Sequence, residues 1–220
     1  APAPMKLDTS CRRMGTTLRP MQNGTSNHAD PGDVAMLVDW ENLKYSLSQR
    51  GLLPNVAALR SAAERFGRIV YARAYADWQD GNHRDDASGL YRSGLEPVYV
   101  PTRRFQDGAE VRVKDSVDVK LTADCIEASH QYPHIGTFVI VSGDHGFLHV
   151  VNTLRPRGKQ VVIVGVSWST ARQLTEPADV VLYYDIDVDK PLSELNALKE
   201  TPASTPQKVV PQIVQAAETI

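Results

Sequence analysis

Short apolar runs alternate with amphipathic stretches between residues 34 and 184. The run VAMLVDW, 34–40, has the continuous apolar character of a buried strand. Residues 42–50 and 54–66 read as helices. In the second, Leu59, Ala62, Ala63 and Phe66 fall at helical spacing and Gly67 closes the segment. A second strand covers 68–77, and a helix covers 83–93 up to Gly94. The third strand, 96–102, carries two prolines, which places it at a sheet edge. Residues 103–114 read as a polar loop.

The helix expected over 115–131 sets Val117, Leu121, Cys125 and Ala128 along one face. A strand over 137–142, a helix over 146–156 ended by Gly158 and a strand over 160–166 follow. A short helix over 169–175 and a strand over 180–184 complete the series. This alternation predicts an α/β domain of three layers. Its mostly parallel sheet has five to six strands, with helices on both faces.

The ends differ in composition. Residues 1–32 are rich in Pro, Thr, Asn, Ser and Gly, and residues 189–220 in Pro, Ser, Thr, Lys and Glu. Neither stretch holds enough apolar surface to offset ordering entropy. They are expected to be a flexible leader and a linker or tail flanking one domain at 33–188. The net charge is only −2, so any basic footprint must be local. With two cysteines and no disulfide or zinc pattern, a reducing compartment is expected, and the cytoplasm is the default. No run approaches the roughly 18 apolar residues that span a bilayer, so no membrane partner is expected.

The chemistry lies in the placement of acids. Open α/β sheets bind ligands beyond the carboxyl ends of their strands, where strand order reverses. Asp39 ends the first strand and Asp144 follows the fourth; if the sheet winds outward from strand one, these strands are neighbours. Asp118 lies in the first turn of a crossover helix, at the same edge. Three carboxylates converging there would repel one another. A hard divalent cation relieves this, and an oxygen-only set favours Mg²⁺ or Mn²⁺. Such an ion suits phosphodiester hydrolysis by water. Each acid also has a plain local reading: Asp144 as a helix N-cap, and Asp118 as a complement to the helix dipole.

Three stretches carry a family resemblance: Val38-Asp-Trp-Glu-Asn-Leu43, Lys114-Asp-Ser-Val-Asp-Val-Lys-Leu121, and Val141-Ser-Gly-Asp144 followed by Phe147. Together, in this order, they resemble the motifs of NYN domains, a branch of the PIN-like nucleases, over about residues 33–186. The resemblance implies a PIN-like fold and a metal-dependent ribonuclease site. It carries Asp39, Asp118 and Asp144 over as metal-binding, catalytic acids, with Asn42 and Ser142 in support. Asp124 is a further acid of interest, although Lys120 at i−4 makes a solvated ion pair the plainer reading. The third motif departs from the family: Gly146 stands where a second Asp is usual, and His145 where Ser is usual. His145 is a substitute ligand in one reading. In another, the chain is a catalytically impaired RNA-binding or scaffold module.

Arg103, Arg104, Arg112 and Lys114 flank the acids in sequence, with Phe105 among them, and are expected to hold RNA phosphates. The expected partner is RNA, single-stranded or in structured loops, and a homo-oligomer is left open. No Gly-rich dinucleotide fingerprint or Walker loop follows the first strand. His145 and His149 have zinc-protease spacing but lack its Glu.

Overall fold

The computed structural model of the chain describes residues 32–107, 110–114 and 116–189, with side chains outside 103–114. The expected leader and tail therefore fall outside the described residues, save for Gly32 and Asp189. Eight strands occur among the described residues: β1 (Asp33–Asp39), β2 (Arg68–Ala76), β3 (Glu96–Tyr99), β4 (Arg103–Asp107), β5 (Glu110–Lys114), β6 (Ile135–Val141), β7 (Gln160–Gly165) and β8 (Val180–Tyr183). The helices are α1 (Trp40–Ser48), α2 (Val56–Glu64), α3 (Asp86–Arg92), α4 (Val117–Gln131), α5 (Leu148–Leu154) and α6 (Arg172–Thr175).

Six strands form one sheet in the order β3-β2-β1-β6-β7-β8, and every pairing is parallel. The order runs outward from β1 in both directions, as in doubly wound sheets. The expected edge position of the proline-bearing third strand is what the sheet shows, at β3. Alternate residues of β1 face opposite layers. Val34, Met36 and Val38 pack with Leu43 and Leu47 of α1 and Leu59 of α2. Ala35 and Leu37 pack with Leu121 and Cys125 of α4 and with Val150, Val151 and Leu154 of α5. A strand buried on both faces has no polar side, which explains its continuous apolar run.

One expectation is corrected. Residues 103–114 are not a loop: β4 and β5 pair antiparallel, with Arg103 opposite Lys114 and Asp107 opposite Glu110. The hairpin stands apart from the main sheet. Its sequence alternates only at Val111 and Val113 among many charges, so a core-facing pattern never develops. The side chains of Arg103, Arg104, Arg112 and Lys114, proposed to hold phosphates, lie outside the described residues.

Candidate active site at the carboxyl edge of the sheet

β1 and β6 are the neighbours between which strand order reverses. Val38 pairs with Val141, so Asp39 and Ser142 leave the ladder side by side. Ser142 donates its hydroxyl to Asp39 Oδ2 at 3.1 Å. The Asp144 amide donates to Ser142 Oγ at 3.2 Å. Asn42, in the first turn of α1, gives its own amide to Asp39 Oδ1 at 3.0 Å. Its side-chain Oδ1 accepts the Gly143 amide at 3.1 Å. Asn42 and Ser142 thus tie the two strand ends into one network. The network is dry at its root, where Asp39 is 6% exposed and Ser142 is 2% exposed.

Gly143 permits the approach. A Cβ there would lie 3.1 Å from the Thr170 Cα and 3.3 Å from the Ser169 carbonyl oxygen. The Ala171 amide donates to the Gly143 carbonyl at 2.9 Å, which holds the 169–171 loop against the turn carrying Asp144.

Asp118 sits in the first turn of α4 and reaches the same place from the other layer. A Cβ on Gly146 would lie 3.6 Å from Asp144 Oδ1 and 3.9 Å from Asp118 Oδ2. Both carboxylates therefore border the space above Gly146. The local readings also hold. Asp39 caps α1, Asp144 Oδ1 accepts the Gly146 amide at 2.9 Å, and Asp118 Oδ1 accepts the Val119 amide at 2.8 Å. Capping and convergence do not compete, because a carboxylate has two oxygens and about four lone-pair sites. His145 is exposed, with Nδ1 3.1 Å from Asp144 Oδ1. His149 is exposed on α5.

Asp124 is corrected in part. Lys120 is its partner, as expected, but only the lysine end of the pair is solvated. Asp124 is 1% exposed and accepts from Tyr75 Oη at 2.8 Å, Arg73 Nη1 at 3.1 Å and Lys120 Nζ. It ties α4 to β2 and does not line the cleft. Burial and the adjoining Asp124 charge push the Tyr75 phenol far above its usual range.

A cleft of about 770 Å³ is lined by Asp39 and Asp144 and by Glu41, Asn42, Lys44, Tyr45, Ser48, Gly81, Asn82 and His83. Sequence reasoning missed Glu41, Lys44, Tyr45 and His83. The signal for Glu41 and Tyr45 was present: with Ser48 they recur at i, i+4 and i+7, opposite the buried Leu43 and Leu47. Lys44 and His83 carried no such signal, because the 77–86 turn reaches α1 only through tertiary contacts. There Trp40 Nε1 donates to Asp86 Oδ2 at 2.9 Å, and Lys44 bonds the same oxygen and the Asn82 carbonyl. The Asp77 carboxyl experiences slight burial, which raises its pKa, but the amides of Thr102, Gln79 and Asp80 outweigh this and hold it below the usual range.

His83 has a buried Nδ1 without a hydrogen-bond partner. Burial lowers its pKa, and the Lys44 ammonium adds to this; Asp80, Asp86 and Asp77 oppose both and lose. A histidine with a depressed folded pKa stabilises the fold while neutral. That contribution is complete above the ordinary value of 6.5 and is lost as pH falls through the lower folded value. His83→Gln should flatten the acid side of the stability profile. Urea midpoints from about pH 7 to about pH 5 measure this, and parallel profiles for the two proteins would contradict it.

Fold and site together define a doubly wound α/β domain with carboxylate oxygens gathered where its strand order reverses. The NYN domain model matches residues 33–187, and the chain belongs to the NYN domain family, a PIN-like nuclease family. An uncharacterized protein of Methanocaldococcus jannaschii is 25% identical over 149 residues, covering 68% of this chain and 54% of that protein. The chain thus spans about half the length of that curated relative. The crystal structure of a protein of unknown function from Vibrio parahaemolyticus superposes with a TM-score of 0.62 at 28% identity. It covers 73% of this chain and 97% of its own.

PIN-like nucleases usually use a divalent metal. Among the described residues, no three His, Cys, Asp or Glu side chains close into a ready cage. The donor set nevertheless fits a hard cation, because Asp39, Asp118 and Asp144 offer only oxygen. Mg²⁺ in particular keeps several waters and needs only one or two carboxylates. Among the described residues, no helix is long and apolar enough to cross a membrane.

Proposed function

We propose that the chain is a metal-dependent ribonuclease that hydrolyses RNA phosphodiester bonds within the strand. The observation that carries this reading is the bonded network Asp39–Ser142–Asp144 with Asn42, bordered by Asp118 and opening on one cleft. Asp39 and Asp144 would hold Mg²⁺ or Mn²⁺, and Asp118 would complete the set. Such an ion supplies charge at a phosphoryl oxygen and acidifies the attacking water. Ser142 and Asn42 hold the Asp39 carboxylate in one orientation by satisfying it from two sides. The buried root of the network keeps that orientation by excluding competing water.

The test is labelled single-stranded RNA incubated with the protein in Mn²⁺, Mg²⁺ or EDTA. Metal-dependent cutting supports the reading. RNA retention without cutting under any metal supports instead a binding module of the same fold, the reading that Gly146 and the open donor set favour.

Gly146→Asp gives a further test. A Cβ meets only ordinary contact distances there, and a carboxylate on it adds repulsion to Asp118 and Asp144 until a cation binds. Gly146→Asp should melt lower than the parent without metal and gain more from Mn²⁺, with half-saturation at about tenfold less metal. Thermal melts against Mn²⁺ concentration decide this; an unchanged half-saturation point would remove Gly146 from the metal site.

A further inference from the structure

α1 lays a ladder of side chains along the cleft. Asp39 caps its first turn, Glu41 and Asn42 follow, and Tyr45 and Ser48 line the cleft in the next turns. Tyr45 is six residues beyond Asp39, or about 9 Å along the helix axis. Tyr45 is 68% exposed, although it belongs to a helix whose other large apolar side chains, Trp40, Leu43 and Leu47, are buried. The cleft around it is lined by Ser48, Asn82, Gly81 and Lys44, so the ring does not extend an apolar patch. A protein partner needs a contiguous apolar area; a single flat ring beside polar groups suits one planar ligand. Lys44 is the cation among the described residues that line this cleft, and Asp86 and the Asn82 carbonyl hold it in place.

We propose that Tyr45 is a stacking platform for one base of single-stranded RNA, next to the phosphate that a cation at the acids would hold, with Lys44 meeting the strand's backbone. This rests on the ribonuclease reading for its ligand class, but it concerns binding and not hydrolysis. Stacking needs an unpaired base, so the cleft selects single strands over duplex. It needs the ring and not the hydroxyl, so Tyr45→Phe and Tyr45→Trp keep it. Tyr45 has little burial to lose, so Tyr45→Ala leaves the fold intact.

The experiment is fluorescence anisotropy with a short labelled oligoribonucleotide in EDTA and in Ca²⁺, followed by cleavage kinetics in Mn²⁺. Tyr45→Ala is expected to weaken binding about tenfold, a loss typical of one stacked base, while Tyr45→Trp matches the parent. Scanning an abasic site along the oligonucleotide should find one position where the parent loses the same factor and Tyr45→Ala loses nothing more. In cleavage the loss should fall on KM and leave kcat unchanged. Equal affinity of Tyr45→Ala and parent overturns the proposal, as does an abasic penalty that persists in Tyr45→Ala at every position. RNA binding that depends on Tyr45 without cleavage defeats the ribonuclease reading and leaves the stacking site standing. No binding of RNA by the parent protein overturns both.

Discussion

Asp39→Asn is expected to lower RNA cleavage by about a hundredfold or more, because losing a carboxylate proposed to bind the metal removes several kcal/mol of transition-state stabilisation. The substitution separates chemistry from structure. Asn caps helices as well as Asp does, so the amide of Asn42 keeps an acceptor and α1 keeps its start. The hydroxyl of Ser142 keeps a neighbour able to bond it. The melting temperature should therefore move little while turnover collapses. Asp144→Asn should behave alike, since its capping oxygen toward Gly146 is preserved. Single-turnover cleavage in Mn²⁺, read beside thermal melts, gives both quantities. Full activity in either variant would show that these acids only cap their helices, and the proposed hydrolysis would lose its centre.

The second large effect concerns stability. Asp124→Ala should destabilise the domain by about 3 kcal/mol or more, the range for breaking a buried ion pair. For a domain of this size that lowers Tm by about 10 °C. Three donors converge on this carboxylate: Tyr75 on β2, Arg73 on the same strand and Lys120 on α4. Arg73 keeps Glu96 as a partner, and Lys120 is half exposed and can turn to solvent. The dominant cost is thus the Tyr75 phenol, wholly buried and stripped of the acceptor it uses. Tyr75→Phe alone should cost only about 1 kcal/mol, and Asp124→Ala combined with Tyr75→Phe should cost less than the two single changes added. Denaturant melts of the four proteins measure this coupling. Strict additivity would mean that the bond at 2.8 Å contributes nothing to holding α4 on the sheet.

The fold was legible because its physics is local and repetitive. The parallel strands had to be apolar on both faces, since helices cover both, and β1 and β6 announced themselves by that property. The prolines of 96–102 excluded a central position, and the sheet places β3 at an edge. The hairpin β4–β5 pairs only with itself, and it escaped because Val111 and Val113 stand among many charges, too short an alternation to read as a strand. Asp124 was misjudged as solvated for another reason. Spacing to Lys120 names a partner along the helix, but the chain alone does not say that Arg73 and Tyr75 stand 51 and 49 residues away and close over it.

The strand order, and with it the adjacency of β1 and β6, came from the tertiary structure. The sequence by itself determined the series of strands and helices and the placement of Asp39, Asp144 and Asp118 at the carboxyl edge of the sheet. These follow from strand and helix periodicity together with the rule for where parallel strands end. Only the tertiary structure decided which side chains face those acids across the cleft. Glu41 and Tyr45 lie on the helix face the core does not use, and Lys44 and His83 meet through the turn anchored at Asp86. The physical reason is that core positions are selected by exclusion from water, which leaves a periodic mark on the chain. The walls of a cleft are polar and solvated, so Lys44 and His83 carry no such mark, and the spacing of Glu41, Tyr45 and Ser48 marks only the face turned from the core.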